Sequence, residues 1–408
     1  MGKRNDGRGN RRRKGRQLDD LGLAILWIMG MVIALALMMA VLAQLFDRTP
    51  KDVGPMDEVE PGTELVSAGS DSVETAPAVS ARSAVVMDLV SGRVLYEKNG
   101  REKAYPASTT KILTVLLGLE YGQLDRMVTV TDGAIGMEGS SIYLARGERI
   151  SMEDLLYGAL LRSGNDAATA IAAEISGSVD AFVELMTRRA RELGAEGTNF
   201  TNPTGLFDKN HYTTVYDMAR IARTAMLHPG FANIAGTKSW TAKRQADRDP
   251  YFYNKNKVVH QYEGGTGVKI GYTEASGRTL AASSEREGRK LICVVMDAPD
   301  WFNDSYRLMD WAHGTYELTT VAKGGQRLEK IPVERGDRST VWVGVKENAA
   351  CLVLPSEQDR LGMACAVTKP VIAPVRRGDA AGQLHIYVAG EYVYSVPLYF
   401  LEDVDEVR

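Results

Sequence analysis

The spacing of apolar residues changes character several times along this chain. Ala84-Val85-Val86-Met87-Asp88 and Val94-Leu95-Tyr96 are short apolar runs around a Ser91-Gly92 turn, which predicts a β-hairpin. From about 108 to 228 the period becomes helical. Ile112, Val115, Leu116 and Leu119 recur at i, i+3, i+4 and i+7, and Met152, Leu155, Leu156, Ala159 and Leu160 repeat the pattern. Ser151 precedes that second run, and Asp154 three residues on predicts a capping box. Strand signals return in Val268–Thr273, Thr279–Ser283 and Lys290–Asp297, followed by a helix with Leu308, Met309 and Trp311 that closes near 316. Strands, then helices, then strands again predict an α+β domain, one sheet covered by helices, over 81–317. From 318 to 408 short runs such as Val341-Trp342-Val343, Cys351-Leu352-Val353-Leu354 and His385–Val388 alternate with Gly- or Pro-containing turns. That texture predicts a second, all-β domain.

The N-terminus breaks from the average composition. Residues 1–20 carry eight Lys or Arg against three Asp, and Leu21–Phe46 then runs 26 residues without a charge. Such a run is long enough to span a bilayer, and its basic flank places the N-terminus in the cytoplasm. A retained transmembrane anchor over 21–46 is the expectation. The alternative is a cleaved signal peptide with Val41-Leu42-Ala43 at the cleavage site. Both readings export the rest of the chain, and the first makes it a single-pass cell-membrane protein. Residues 47–80 hold eight acidic residues, two basic and four Pro, and read as a disordered acidic linker.

The whole chain has a net charge of -3, which argues against nucleic acid as a partner. Its five His show no ligand spacing, so neither a metal nor a cofactor is expected. Three Cys are too few for a disulfide framework.

Candidate chemistry lies in three short motifs. In Pro106-Ala107-Ser108-Thr109-Thr110-Lys111 the lysine sits one turn after the serine, so its amine can reach the hydroxyl. A hydroxyl becomes a nucleophile when a base takes its proton, and a buried, neutral lysine can be that base. Ser163-Gly164-Asn165 follows 55 residues later at the end of a helix. A serine there can relay a proton and an asparagine can hold a peptide amide, although the same three residues suit a plain interhelical turn. Lys269-Ile270-Gly271 lies in a strand, where the glycine admits a close backbone and the lysine supplies a fixed cation. Each motif is weak alone.

Taken in order, Ser-x-x-Lys, Ser-Gly-Asn and Lys-x-Gly form the serine acyltransferase set. From Ala84 to Trp311 the chain resembles the low-molecular-mass penicillin-binding proteins that act as serine D-alanyl-D-alanine carboxypeptidases. The likeness runs through Tyr105–Lys111, Leu161–Ala168, Asn202-Pro203-Thr204-Gly205-Leu206 and Gly271-Tyr272-Thr273. It implies a β-lactamase-like catalytic domain followed by that family's small C-terminal β domain. It also implies removal of the terminal D-Ala from peptidoglycan stem peptides through an acyl-enzyme, and acylation by β-lactam antibiotics. Ser108 would be the nucleophile, Lys111 its base and Ser163 the proton shuttle. Asn165, Lys269, Gly271, Tyr272 and Thr273 would bind substrate, with the Ser108 and Tyr272 N–H groups as oxyanion hole. Activity is expected to rise from neutral to mildly alkaline pH as Lys111 loses its proton.

Two positions depart from the family. Ile270 stands where a Thr or Ser usually helps bind the terminal carboxylate, and Trp301 stands in the register of an assisting Arg. Lys269, with the Thr273 hydroxyl nearby, is left to hold the carboxylate. A fast class A β-lactamase is excluded by the absence of a Glu-x-x-Leu-Asn element, and a Ser-His-Asp hydrolase by the absence of a Gly-x-Ser-x-Gly elbow. The alternative from another class is a non-catalytic wall-binding or β-lactam-sensing protein.

Overall fold

The two opening runs pair as expected. β1 (Ser83–Asp88) and β2 (Val94–Lys98) form an antiparallel hairpin. The computed structural model describes residues 75–244 and 247–407. After a 3-10 turn over Ala107–Thr110 comes helix α1 (Lys111–Tyr121), then a ribbon of β3 (Met127–Thr129) and β4 (Arg149–Ser151). Helices α2 (Met152–Leu161), α3 (Asn165–Ser176), α4 (Val179–Glu192), α5 (Val215–Leu227) and α6 (Pro229–Gly236) follow. A second ribbon, β5 (Ser239–Thr241) with β6 (Tyr251–Tyr253), and the short α7 (Val258–Gln261) lead into β7 (Gly265–Thr273), β8 (Gly277–Arg286) and β9 (Arg289–Met296). Helix α8 (Trp301–Thr315) closes the domain.

The central sheet has the order β2-β1-β9-β8-β7, antiparallel throughout, so β7 forms an outer edge. Its strands read as continuous apolar runs because both faces are covered. Val85 and Met87 point into the large core under α1 to α6, while Ala84 and Val86 point into a smaller core with Leu308, Met309 and Ala312 of α8. The Ser151 cap forms only in part. Its Oγ accepts from the Asp154 N–H (3.0 Å), but the Asp154 carboxylate takes the Ser151 hydroxyl (2.7 Å) and the Trp240 indole N–H (2.7 Å), not the cap's own N–H. A tertiary partner outcompeted the local box.

The second domain comprises β10 (Glu317–Ala322), β11 (Glu329–Pro332), β12 (Thr340–Gly344), β13 (Ala349–Val353), β14 (Leu361–Val367), β15 (Ala380–Val388) and β16 (Glu391–Phe400). It combines a β10-β13 ribbon with a five-stranded sheet in the order β11-β12-β16-β15-β14. Its attachment to the first domain is polar and specific. Arg93 pairs with Glu357 (2.6 Å) and donates to the Leu352 carbonyl (2.9 Å), and the buried Asp88 carboxylate accepts the Leu352 N–H (3.3 Å).

Residues 75–80 contain no helix or strand, but their end is held. Lys98 donates to the Val79 carbonyl (3.1 Å), and the Ser80 hydroxyl donates to the buried Asp304 carboxylate (2.7 Å). The ordered body therefore starts before the expected boundary at 81, because these polar anchors do not register in composition. The expected anchor over 21–46 and the linker up to 74 lie outside the described residues. Among the described residues no helix is long and apolar enough to cross a membrane.

Candidate active site

Ser108 lies in the 3-10 turn that feeds α1, and Lys111 is the helix's first residue. Ala107, just before the serine, adopts a left-handed backbone (φ 48°), a conformation that costs a non-glycine residue energy and holds only when its surroundings dictate it. Those surroundings are two glycines. A Cβ on Gly205 would lie 1.8 Å from the Ala107 carbonyl oxygen, and one on Gly271 would lie 2.9 Å from the Ser108 nitrogen. The nucleophile turn is thus clamped between the 202–206 loop and the edge strand β7.

Lys111 is fully buried. Its Nζ lies 3.0 Å from Ser108 Oγ, 2.6 Å from Asn165 Oδ1 and 2.6 Å from the Thr204 carbonyl oxygen. Burial pulls its pKa well below the ordinary lysine value, and the nearby Lys269 charge lowers it further. Lys255 adds to this, while Asp166 opposes it. A neutral amine has two N–H donors and one lone pair. Asn165 Oδ1 and the Thr204 carbonyl accept the two hydrogens, and the lone pair is then left facing Ser108.

The supporting bonds explain why these segments meet. Asn202 Oδ1 accepts from the Thr204 N–H (3.1 Å) and the Gly205 N–H (2.7 Å), and the Thr114 hydroxyl donates to the Pro203 carbonyl (2.7 Å). His211 accepts the Thr201 N–H at Nδ1 (3.1 Å), which leaves Nε2–H to donate to Thr110 Oγ1 (2.8 Å). Burial keeps this imidazole neutral, with its pKa lowered to about 4. Asp166 binds the 141–144 segment onto α3 through the N–H groups of Ile142 (3.0 Å) and Leu144 (3.0 Å).

The other expected residues sit around this centre in different states. Asn165 is buried and committed on both sides, since its Nδ2 donates to the Glu138 carbonyl (2.5 Å) while Oδ1 serves Lys111. One N–H remains for a substrate. Ser163 is buried at the turn between α2 and α3 with φ 62°, and among the described residues nothing hydrogen-bonds to its hydroxyl. Lys269 is buried, donates to the Ile270 carbonyl (2.9 Å), and has its pKa lowered to about 7, first by burial and then by Lys255. Tyr272 is 62% exposed. The Thr273 hydroxyl donates to Ser276 Oγ (2.8 Å) and accepts the Ser276 N–H (3.1 Å), so here it closes the β7-β8 turn. Sequence reading missed the Thr204 carbonyl and Lys255. The first is a backbone atom with no side-chain signal, and the second is a lone lysine between Asn254 and Asn256.

Comparison with known proteins decides the class. A family model described as D-alanyl-D-alanine carboxypeptidase matches residues 70–300. The chain belongs to the D-alanyl-D-alanine carboxypeptidase family. Residues 316–406 match the C-terminal domain of penicillin-binding protein 5. The carboxypeptidase DacF of Bacillus subtilis is 33% identical over 79% of this chain and 86% of its own length. DacC of Escherichia coli is 32% identical over 83% and 88%. The crystal structure of penicillin-binding protein 5 from Haemophilus influenzae aligns with a TM-score of 0.66 at 29% identity, covering 81% of this chain and 99% of that one. The fold of the carboxypeptidase domain and its β appendage is therefore that expected from the motifs.

Three outcomes follow from the site. Gly271→Ala should cut Ser108 acylation by about 100-fold, because the added methyl must push β7 off the Ser108 amide; stopped-flow acylation with a chromogenic β-lactam would measure it. The pH profile of kcat/KM should rise as Lys111 deprotonates, at a pH well below the ordinary lysine value, and fall above about 7 as Lys269 loses its charge. Lys255→Met should move the falling limb upward, since Lys255 is one of the charges lowering the Lys269 pKa; a pH series on both proteins checks the sign.

Proposed function

We propose that this protein is a serine D-alanyl-D-alanine carboxypeptidase acting on peptidoglycan stem peptides and acylated by β-lactams. The observation that carries the reading is the buried Lys111 amine, 3.0 Å from Ser108 Oγ with its two other neighbours both acceptors. Ser108 Oγ attacks the carbonyl carbon of the penultimate D-Ala as its proton passes to Lys111 Nζ. The oxyanion is held by the N–H groups of Ser108 and Tyr272. The C–N bond then breaks, and the departing D-Ala amine takes the proton from Lys111, with Ser163 as the relay. Water, deprotonated by the same base, releases the shortened peptide and regenerates Ser108. Lys269 supplies positive charge beside this path, and Asn165 keeps the base oriented while its remaining N–H is open to the substrate's amide.

The test is mass spectrometry of the protein after exposure to penicillin and, separately, to a D-Ala-D-Ala peptide. Wild type should gain one penicillin adduct, confined to a peptide containing Ser108, and should release D-Ala. Ser108→Ala and Lys111→Arg should do neither. Adduct formation without D-Ala release would favour the β-lactam-sensing alternative.

The same proposal places the catalytic domain on the extracytoplasmic side of the cell membrane, tethered through residues 21–46. Support comes from the 26-residue uncharged run with its basic flank. The full chain should sediment with membranes, and a chain begun at Thr75 should stay in solution. An N-terminus at Gln44 in the mature protein would instead establish the cleaved form.

A further inference from the structure

A carboxypeptidase must recognise a terminal carboxylate, and of the side chains expected to do so only Lys269 keeps a donor beyond the bonds it makes here. Ile270 has no donor and packs against the apolar layer under α8, as Trp301 and Phe302 also do. The Thr273 hydroxyl is consumed by Ser276. Lys269 is buried and donates to the Ile270 carbonyl. A substrate lying along the free edge of β7 can still meet what the next strand presents past that edge.

That strand carries Arg278. In the β7-β8 register it stands opposite Tyr272, with Ile270 on the diagonal. Cross-strand and diagonal neighbours of this kind lie within reach of long side chains. The side chain of Arg278 is exposed, as is that of Tyr272 opposite it. One nitrogen, Nη1, donates to the Pro299 carbonyl (2.7 Å), and the guanidinium lies 5.9 Å from the centre of the Trp301 ring. Among the described residues no carboxylate forms an ion pair with Arg278. Asp297 lies beside Gly277 without closing such a pair. A guanidinium has five donors in a fixed fork, so one bond to Pro299 leaves enough for a bidentate carboxylate.

We propose that Arg278 is the specificity-determining cation of this enzyme, binding the substrate's terminal carboxylate from the strand behind the edge. The proposal rests on the carboxypeptidase reading. A purely structural role would be to staple the 297–301 turn to β8 through Pro299. Arg278→Gln separates the two, because glutamine keeps a donor for Pro299 but carries no charge.

The measurement is kcat/KM on a D-Ala-D-Ala peptide and on the same peptide with its terminus amidated. The wild-type preference for the free acid should fall about tenfold in Arg278→Gln, mainly through KM, and return in part in Arg278→Lys. Equal slowing on both peptides would assign the staple role and overturn the proposal; an unchanged preference would overturn it as well. Wild type that forms the penicillin adduct yet releases no D-Ala would overturn the activity reading instead. The Arg278 claim would then be decided on acylation rates for penicillin against its methyl ester, where Arg278→Gln must lose the preference for the free acid.

Discussion

The chemistry of this molecule hangs on one buried amine. An ammonium taken out of water costs several kcal/mol unless counter-charges surround it, and Lys111 meets none within hydrogen-bond reach. Its partners are a hydroxyl, a side-chain amide oxygen and a backbone carbonyl. They come from three separate parts of the chain: the 3-10 turn, the first residue of α3, and the 202–206 loop between α4 and α5. Burial holds the lysine's pKa well below its ordinary value, and it is buried only when those segments have docked. Folding and activation of the base are thus the same event.

The second constraint is distance. β7 and the 202–206 loop approach the Ala107-Ser108 backbone so closely that only glycine fits at 271 and 205. The sheet supplies the rigidity for this approach, since apolar layers cover both of its faces. The β domain is tied at the opposite edge, where Arg93 and Asp88 near the β1-β2 turn bind Leu352 and Glu357. This edge lies across the sheet from β7, so the appendage leaves the substrate edge free.

Much of this was legible in the sequence because it follows periodicity. The hairpin at 83–98, α1 from Ile112, Val115 and Leu116, and the three strands after 265 all stand where the apolar pattern places them. The site motifs were readable as side chains in order. What escaped was carried by atoms without a side-chain signature or by competition between partners. The Thr204 carbonyl is backbone, the Asp154 carboxylate took the Trp240 indole N–H and the Ser151 hydroxyl in place of the cap's backbone N–H, and the Thr273 hydroxyl was claimed by Ser276 three residues on. Arg278 has a further disguise: on sequence it is one more strand arginine, and only the register beside Tyr272 gives it a place.

The distribution of charge around Lys111 completes the picture. Lys269 and Lys255 both act on Lys111, Lys255 acts on Lys269, and the carboxylate acting on Lys111 is Asp166. That carboxylate is spent on the N–H groups of Ile142, Leu144 and Ala167 and on the Ser141 hydroxyl. Spending it there serves two ends. It fixes the segment that carries Ser140, whose carbonyl in turn accepts the Asn165 N–H (2.7 Å). Those bonds also hold the carboxylate out of hydrogen-bond contact with Lys111. Were a carboxylate to contact Lys111 directly, its pKa would rise, the proton would stay on nitrogen, and Ser108 would face a donor in place of a base.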